Sequence, residues 1–319
     1  MSRITWVMFG VLFCSGVLAT GDVRGDSFVT VDVPGAASTV VNALNDRLDA
    51  VGTYVVGATS HAFIRLGDGA IDAFDVAGST STYGQGINNN GVVVGYFDAG
   101  LGSYGYERAV DGTITTFVVP GAVSTFGYAV NNLGQIAGTY SLNGVLDFHG
   151  FIRAADGGFA TFDVPGASWT YAQGINDLGQ VSGFYFDGLA FHGFIRAADG
   201  SFTTFDVPQS ASTFGSEIND AGLSVGYSVV SFFTSSGFVT IAAGFVRSPD
   251  GALGSYVVPG SSSTYLSGIN NNGYLSGSFT LNGVTHGLIA VPEPAGLLML
   301  STGGLGVLAL ARRRFRRRL

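Results

Sequence analysis

HGFIRAADGSFTTFDVP, from His192 to Pro208, reads as two β-strands joined by a tight turn at Ala198, Asp199 and Gly200. Phe194 and Arg196 fall on one face and Ile195 on the other. After the turn Phe202, Thr204 and Asp206 alternate with Thr203, Phe205 and Val207, which is the period of an extended strand. The next segment, Thr213 to Tyr227, reads as a second hairpin turning at Asn219, Asp220, Ala221 and Gly222, residues with side-chain caps and backbone freedom suited to tight turns. One unit is therefore four short strands.

The unit recurs. The Asn of an INxxG-like turn stands at Asn45, Asn88, Asn131, Asn176, Asn219 and Asn270, with spacings of 43, 43, 45, 43 and 51 residues. Five residues upstream of each Asn are Val40, Tyr83, Phe126, Tyr171, Phe214 and Tyr265, each preceded by Thr. Seven residues downstream is always Gly, inside a strand, where it signals a bulge or a close approach of another backbone. The HGFIR-like strand begins at His61, Tyr104, His149, His192, Ala243 and His286, and the last copy lacks its second strand. Phe28 to Val33 matches only that missing strand. Four-stranded units of about 43 residues, with one unit split between the two ends of the array, predict an all-β, six-bladed β-propeller closed by its N- and C-terminal strands. An open β-solenoid has no need of complementary end fragments.

Composition narrows the function. The chain has 319 residues, 50 of them Gly, with 46% apolar and 11% charged residues and no Lys. Six of its 14 Arg lie in the last eight residues, and between Gly21 and Ala290 seven Arg face 21 acids. So acidic a body disfavours nucleic acid, whose phosphates need clustered cations. Cys14, the sole Cys, lies in the N-terminal apolar run, which excludes a disulfide, thiol nucleophile or Cys-ligated metal in the body.

The ends read as addresses. Arg3, the apolar run Ile4 to Leu18 and the Val17-Leu18-Ala19 cleavage pattern predict a secretory signal peptide over 1–19. The propeller is expected over 20–290 and a tail over 291–319. In the tail, Pro292, Glu293 and Pro294 precede a 17-residue apolar run and an Arg cluster. A helix of that length rises about 25 Å, the lower limit for a membrane span, and the Arg cluster orients its end toward the cytoplasm. This order of parts resembles the PEP-CTERM sorting signal of Gram-negative bacteria. The resemblance implies an exosortase-type partner that recognises and removes the tail after transient anchoring in the inner membrane, with Pro292, Glu293 and Pro294 as processing residues. The 43-residue unit itself, with His61-Ala62-Phe63 and its His-Gly-Phe variants, resembles the HAF extracellular repeat. That resemblance implies an exported, surface-associated protein and brings no catalytic residues; Tyr104 and Ala243 depart from the motif.

Several residue sets invite a site. The four His recur once per unit, so the period spreads them around a ring instead of converging them on a metal. Arg65, Arg108, Arg153, Arg196 and Arg247 recur likewise and predict ion pairs between blades. The Asn–Asx turns carry at most one Asp each, too few for calcium. Tyr83, Phe126, Tyr171, Phe214 and Tyr265 are candidates for stacking on sugars, with packing between blades as the plainer role. The fifth unit carries eight extra residues within 231–242, predicting a lengthened hairpin whose Phe232, Phe233 and Phe238 form a candidate partner patch. His and Asp 14 residues apart occur together at His61 and Asp75, His149 and Asp163, and His192 and Asp206. Tyr104 and Ala243 are matched instead by Val118 and Val257. The co-occurrence predicts contact, with His286 paired to Asp32 across the ring closure. The only Glu of the body, Glu107 and Glu217, sit at unlike positions in different units. The sequence thus predicts no cofactor, metal or catalytic set, and points to an exported, non-catalytic protein binding exopolysaccharide or a protein partner. A propeller lyase or glycosidase is the alternative.

Overall fold

The computed structural model describes residues 28–144, 147–234 and 237–291, without side-chain detail at 232–239. The expected signal peptide and the tail with Pro292, Glu293 and Pro294 lie outside these residues, as do the side chains of Phe232, Phe233 and Phe238. The described residues form 24 strands and no helix. Six antiparallel four-stranded sheets are arranged as the blades of a propeller, each blade running A to D from the axis outward.

Strand pairing follows the repeat. In blade 4, A is Trp169–Ile175, B Val181–Phe186, C Phe191–Arg196 and D Phe202–Phe205. Blade 6 joins the two ends of the array: Phe28–Val31 pairs antiparallel with Val284–Ala290, Phe28 opposite Ala290 and Val31 opposite Gly287. In blade 5 the B and C strands lengthen to Ser224–Thr234 and Gly237–Arg247, paired without interruption from Ser224 opposite Arg247 to Thr234 opposite Gly237. The extra residues extend that hairpin.

Strand B glycine explains much of the packing. A Cβ at Gly52, Gly95, Gly138, Gly183, Gly226 or Gly277 would overlap a strand A carbonyl oxygen, that of Tyr171 in the case of Gly183. In five blades its other neighbour is a fully buried ring of strand C: Phe63, Tyr106, Phe151, Phe194 or Phe245. The glycine thus lets a strand A backbone and a core aromatic close on one point. Just beyond it, strand A bulges. The ladder has one extra strand A residue in every blade: Asn42, Gln85, Tyr128, Gln173 and Ser267 in five, and Ser216 in blade 5, where Glu217 and the opposite Val225 are also unpaired. Bulges re-aim side chains.

Thr at the second position of strand A is also accounted for. The Oγ1 atoms of Thr39, Thr82, Thr125, Thr170, Thr213 and Thr264 accept the N–H of Val33, Val76, Val119, Val164, Val207 and Val258 at 2.9–3.1 Å, fastening each connecting loop to the next blade. The hydroxyl is buried, so a residue without it leaves a donor unpaired.

At one mouth of the axis the A–B turns form two closed rings of hydrogen bonds. Asn45 Nδ2 donates to Asn88 O, and the relay continues through Asn131, Asn176, Asn219 and Asn270 back to Asn45 O, each step 2.9–3.2 Å. The Oδ1 of the same Asn accepts backbone N–H groups of its own turn, as Asn176 does from Leu178 and Gln180. The Asn amide carries a separate acceptor and donor on one short side chain, which an Asp carboxylate does not, and the position is Asn in every blade. In the second ring the N–H of Asp46, Asn89, Asn132, Asp177, Asp220 and Asn271 each donates to the Oδ1 of the next member at 2.7–2.9 Å. An acceptor suffices there, so Asp and Asn interchange.

Three substitutions test these contacts. Gly183→Ala is expected to cost about 3 kcal/mol, the upper range for an overpacked core, read as a lowered urea midpoint. Asn176→Asp keeps the acceptor and loses the donor, and is expected to cost about 1–3 kcal/mol. Asp220→Asn retains the Oδ1 acceptor and loses only the exposed bond from Asn271 Nδ2 to Oδ2, and is expected to cost less than Asn176→Asp, about 0.5–1 kcal/mol.

Candidate functional site

The bulged residues converge on the axis. Asn42, Gln85, Tyr128, Gln173, Ser216 and Ser267, one from each strand A, line a partly enclosed chamber of about 250 Å³, joined by Glu217, Tyr171, Phe184 and Tyr227. Next along each strand A come Leu44, Ile87, Val130, Ile175, Ile218 and Ile269, which form an apolar collar. The Asn–Asx rings follow as the floor of a second cavity of about 70 Å³. Glu217 lines both cavities. Its position belongs to Ala43, Gly86, Ala129, Gly174 and Gly268 in the other blades.

Glu217 is the chamber's one carboxyl. Protein surrounds it although its tip reaches the lumen, and this desolvation pushes its pKa from 4.5 up to about 8, opposed only by the N–H groups of Ile218 and Ile175. Ile218 N lies 3.4 Å from Oε1. The Tyr128, Tyr171 and Tyr227 hydroxyls are likewise shifted upward by burial. The three floor carboxylates are already engaged. Asp46 accepts from Asn89 Nδ2 at 2.6 Å, Asp177 from Asn132 Nδ2 at 2.8 Å and Asp220 from Asn271 Nδ2 at 2.8 Å.

The structure brings the His and Asp residues together away from the axis, where strands C and D meet the connecting loops. His61 Nδ1 lies 2.8 Å from Asp75, and His149, His192 and His286 lie 2.9–3.1 Å from Asp163, Asp206 and Asp32. Each imidazole also packs on a strand B ring: Tyr54, Tyr140, Tyr185 or Phe279, with centroids 5.1–5.3 Å apart. His192 Nε2 has a second carboxylate, Asp187, at 3.2 Å. No group of three or more His, Cys, Asp or Glu side chains suited to a metal occurs among the described residues.

The arginine expectation needs correction. Among the described residues only two of the five recurring Arg make an ion pair between blades, Arg108 with Asp72 at 3.0 Å and Arg153 with Glu107 at 3.5 Å. The commoner contact is stacking. Arg108, Arg153, Arg196 and Arg247 lie 4.8–5.2 Å from the ring centres of Phe74, Phe117, Phe162 and Phe205 on the preceding blade. Strand D carries an aromatic there far more regularly than an acid. For Arg65 the equivalent neighbour is Val31.

The strand A aromatics divide similarly. Tyr83, Phe126, Tyr171, Phe214 and Tyr265 enter ring contacts that pass from blade to blade, such as Tyr171 on Phe184 at 4.6 Å and Phe184 on Phe214 at 5.1 Å. Of the five only Tyr171 lines the chamber. The chamber's polar residues escape a reading by recurrence because their position varies among Asn, Gln, Tyr and Ser. A signal was nonetheless present: five of six copies carry a hydrogen-bonding side chain without charge or aromatic ring there, two residues after the strand A aromatic position.

Comparison with known proteins fixes the fold alone. No protein-family model and no curated protein sequence matches the chain. Among solved structures, a gluconolactonase from Xanthomonas campestris is 14% identical, with a TM-score of 0.50 over 81% of this chain and 88% of that one. TolB from Acinetobacter baumannii is 11% identical, with a TM-score of 0.50 over 78% and 65%. Virginiamycin B lyase from Staphylococcus aureus is 10% identical, with a TM-score of 0.48 over 83% and 99%.

The Glu217 shift has a signed consequence. Between about 4.5 and about 8 the folded state holds a proton that the unfolded chain has released, so this group's contribution is full below 4.5 and is lost as pH rises through 8. Glu217→Gln does not titrate. Its stability relative to the parent is expected to be flat below pH 4.5 and to rise steadily to pH 8, read from urea midpoints of both proteins.

Proposed function

We propose that the protein is an exported, cell-surface β-propeller that binds the end of a surface polysaccharide in its axial chamber and does no chemistry on it. The chamber lining carries this reading. Gln85, Gln173, Ser216 and Ser267 offer donors and acceptors that match sugar hydroxyls, Asn42 offers its Oδ1 while its Nδ2 bonds Gly84 O and Thr53 Oγ1, and the Tyr171 and Phe184 rings offer apolar surface to a pyranose. A volume of about 250 Å³ suits one small ligand unit. The address rests on the sequence: the N-terminal apolar run, the HAF-like repeat and the PEP-CTERM-like tail with Pro292, Glu293 and Pro294 agree on export, inner-membrane anchoring and processing by an exosortase-type enzyme. The Phe232, Phe233 and Phe238 hairpin is the proposed contact for a protein partner. A glycosidase acting through a carboxyl pair requires a second carboxyl facing Glu217. Glu107, the other Glu of the body, instead belongs to the ion pair with Arg153 between blades 2 and 3.

Full-length protein in detergent is expected to bind polysaccharide prepared from the surface of the producing cells and to leave its chain length unchanged. Substitution of Tyr171 and Gln173 together by Ala is expected to weaken binding about tenfold or more, since stacking and buried hydrogen bonds each contribute about 1 kcal/mol. Absence of binding to every such polysaccharide, or shortening of the chain, would overturn the reading.

A further inference from the structure

Glu217 breaks the internal rule of its own repeat. The position is Ala or Gly in the other five blades because neighbouring A strands nearly touch there: a Cβ on Gly174 would come within 2.7 Å of the Glu217 Cα, and one on Gly268 within 3.0 Å of the Ala43 Cα. In blade 5 the ladder loses the pair that Glu217 would make with Val225, which the Ala or Gly of the other five blades makes with its own strand B partner. Such a departure marks a position that serves something other than the fold.

The carboxyl also has no cation. The chain contains no Lys, and the His and Arg side chains among the described residues are engaged elsewhere. The four His hold their Asp partners. Arg47 pairs with Asp49 at the floor, Arg65 donates to Leu66 O, and the other four stack between blades. A lone carboxyl in an apolar collar costs stability unless something compensates it. The other titratable groups facing this region are the Tyr128, Tyr171 and Tyr227 phenols in the chamber and Asp46, Asp177 and Asp220 on the floor, none of them cationic.

We propose that the chamber selects a sugar unit bearing a free ammonium group, with Glu217 as its counter-ion and the Tyr171, Phe184 and Tyr227 rings lining the pocket around it. This rests on the carbohydrate reading above and adds the charge class of the ligand. An ammonium group presents three donors to a carboxylate and is attracted to aromatic rings, whereas a neutral sugar leaves the carboxyl without a counter-charge. A divalent metal asks for several converging carboxylates, and the chamber supplies one. The acid excess of the body draws cations toward the mouth.

The test is calorimetric titration of the full-length protein in detergent with glucosamine, glucose, N-acetylglucosamine and calcium chloride, in two buffers of different ionisation enthalpy at pH 6.5. Glucosamine is expected to bind about ten- to a hundredfold more tightly than glucose or N-acetylglucosamine. Binding should release about one proton, as the protonated carboxyl ionises against the ammonium. Glu217→Gln should bring glucosamine down to the level of glucose and abolish the release. Glu217→Ala should do the same while folding at least as well as the parent, since blades 1 and 3 carry Ala at that position. Equal binding of glucosamine and glucose overturns the ammonium inference and leaves the carbohydrate reading standing. No sugar binding at all overturns both. Proton release with calcium and not with glucosamine overturns the inference in favour of an inorganic cation.

Discussion

The double ring of hydrogen bonds at the axis is the constraint on which the rest of the structure depends. Each blade is a small sheet that cannot bury both faces alone, and its position relative to the next is set where the inner strands turn. The buried Asn side chains, only 3–5% exposed, tie each turn to its own backbone and to the next blade at once. Because the relay passes through six blades and returns from Asn270 to Asn45, no blade has a free end at the axis. A donor missing at one position leaves a buried carbonyl unpaired on a neighbour, so a local change is felt by two blades.

Closure on the outer side uses different chemistry for the same purpose. Phe28–Val31 completes blade 6, and its loop then enters blade 1 through the same Val33 to Thr39 hydrogen bond that joins every other pair of blades. Without that strand, Val284–Ala290 would present an unpaired edge, the feature a closed array avoids. The contact between His286 and Asp32 lies at the end of that seam, and in the other three His-bearing blades the same pair joins strand C to the end of strand D. Packing of each imidazole on a strand B ring gives these residues a structural role distributed around the ring.

Against this regular frame, the irregularity of the axial chamber carries information. The positions that hold the blades together repeat closely: Asn, Thr, the strand B Gly and the strand C ring. The bulged positions that face the lumen do not. Asn42, Gln85, Tyr128, Gln173, Ser216 and Ser267 are held by the same backbone geometry yet differ in side chain, and Glu217 adds a carboxyl in one blade alone. A scaffold that fixes six backbones and varies the six side chains at their meeting point gives the chamber an asymmetric lining.

The sequence by itself determined the blade count, the four-strand unit, the split sixth blade and the longer hairpin of blade 5, because strand period, turn residues and repeat spacing are local properties that survive in one dimension. It also carried the link between His and Asp, through their joint absence at Tyr104 with Val118 and Ala243 with Val257. Tertiary structure decided what the recurring residues touch. Asn looked like a turn residue and is also a bridge to the next blade. Arg looked like an ion-pair partner and stacks in four blades on Phe of the preceding one. The chamber was hidden for a physical reason: it is assembled from six residues spread from Asn42 to Ser267, converging only once the ring is closed and each strand A bulges by one residue. Glu217, one acid among many along the chain, became the one carboxyl of that chamber through the same closure.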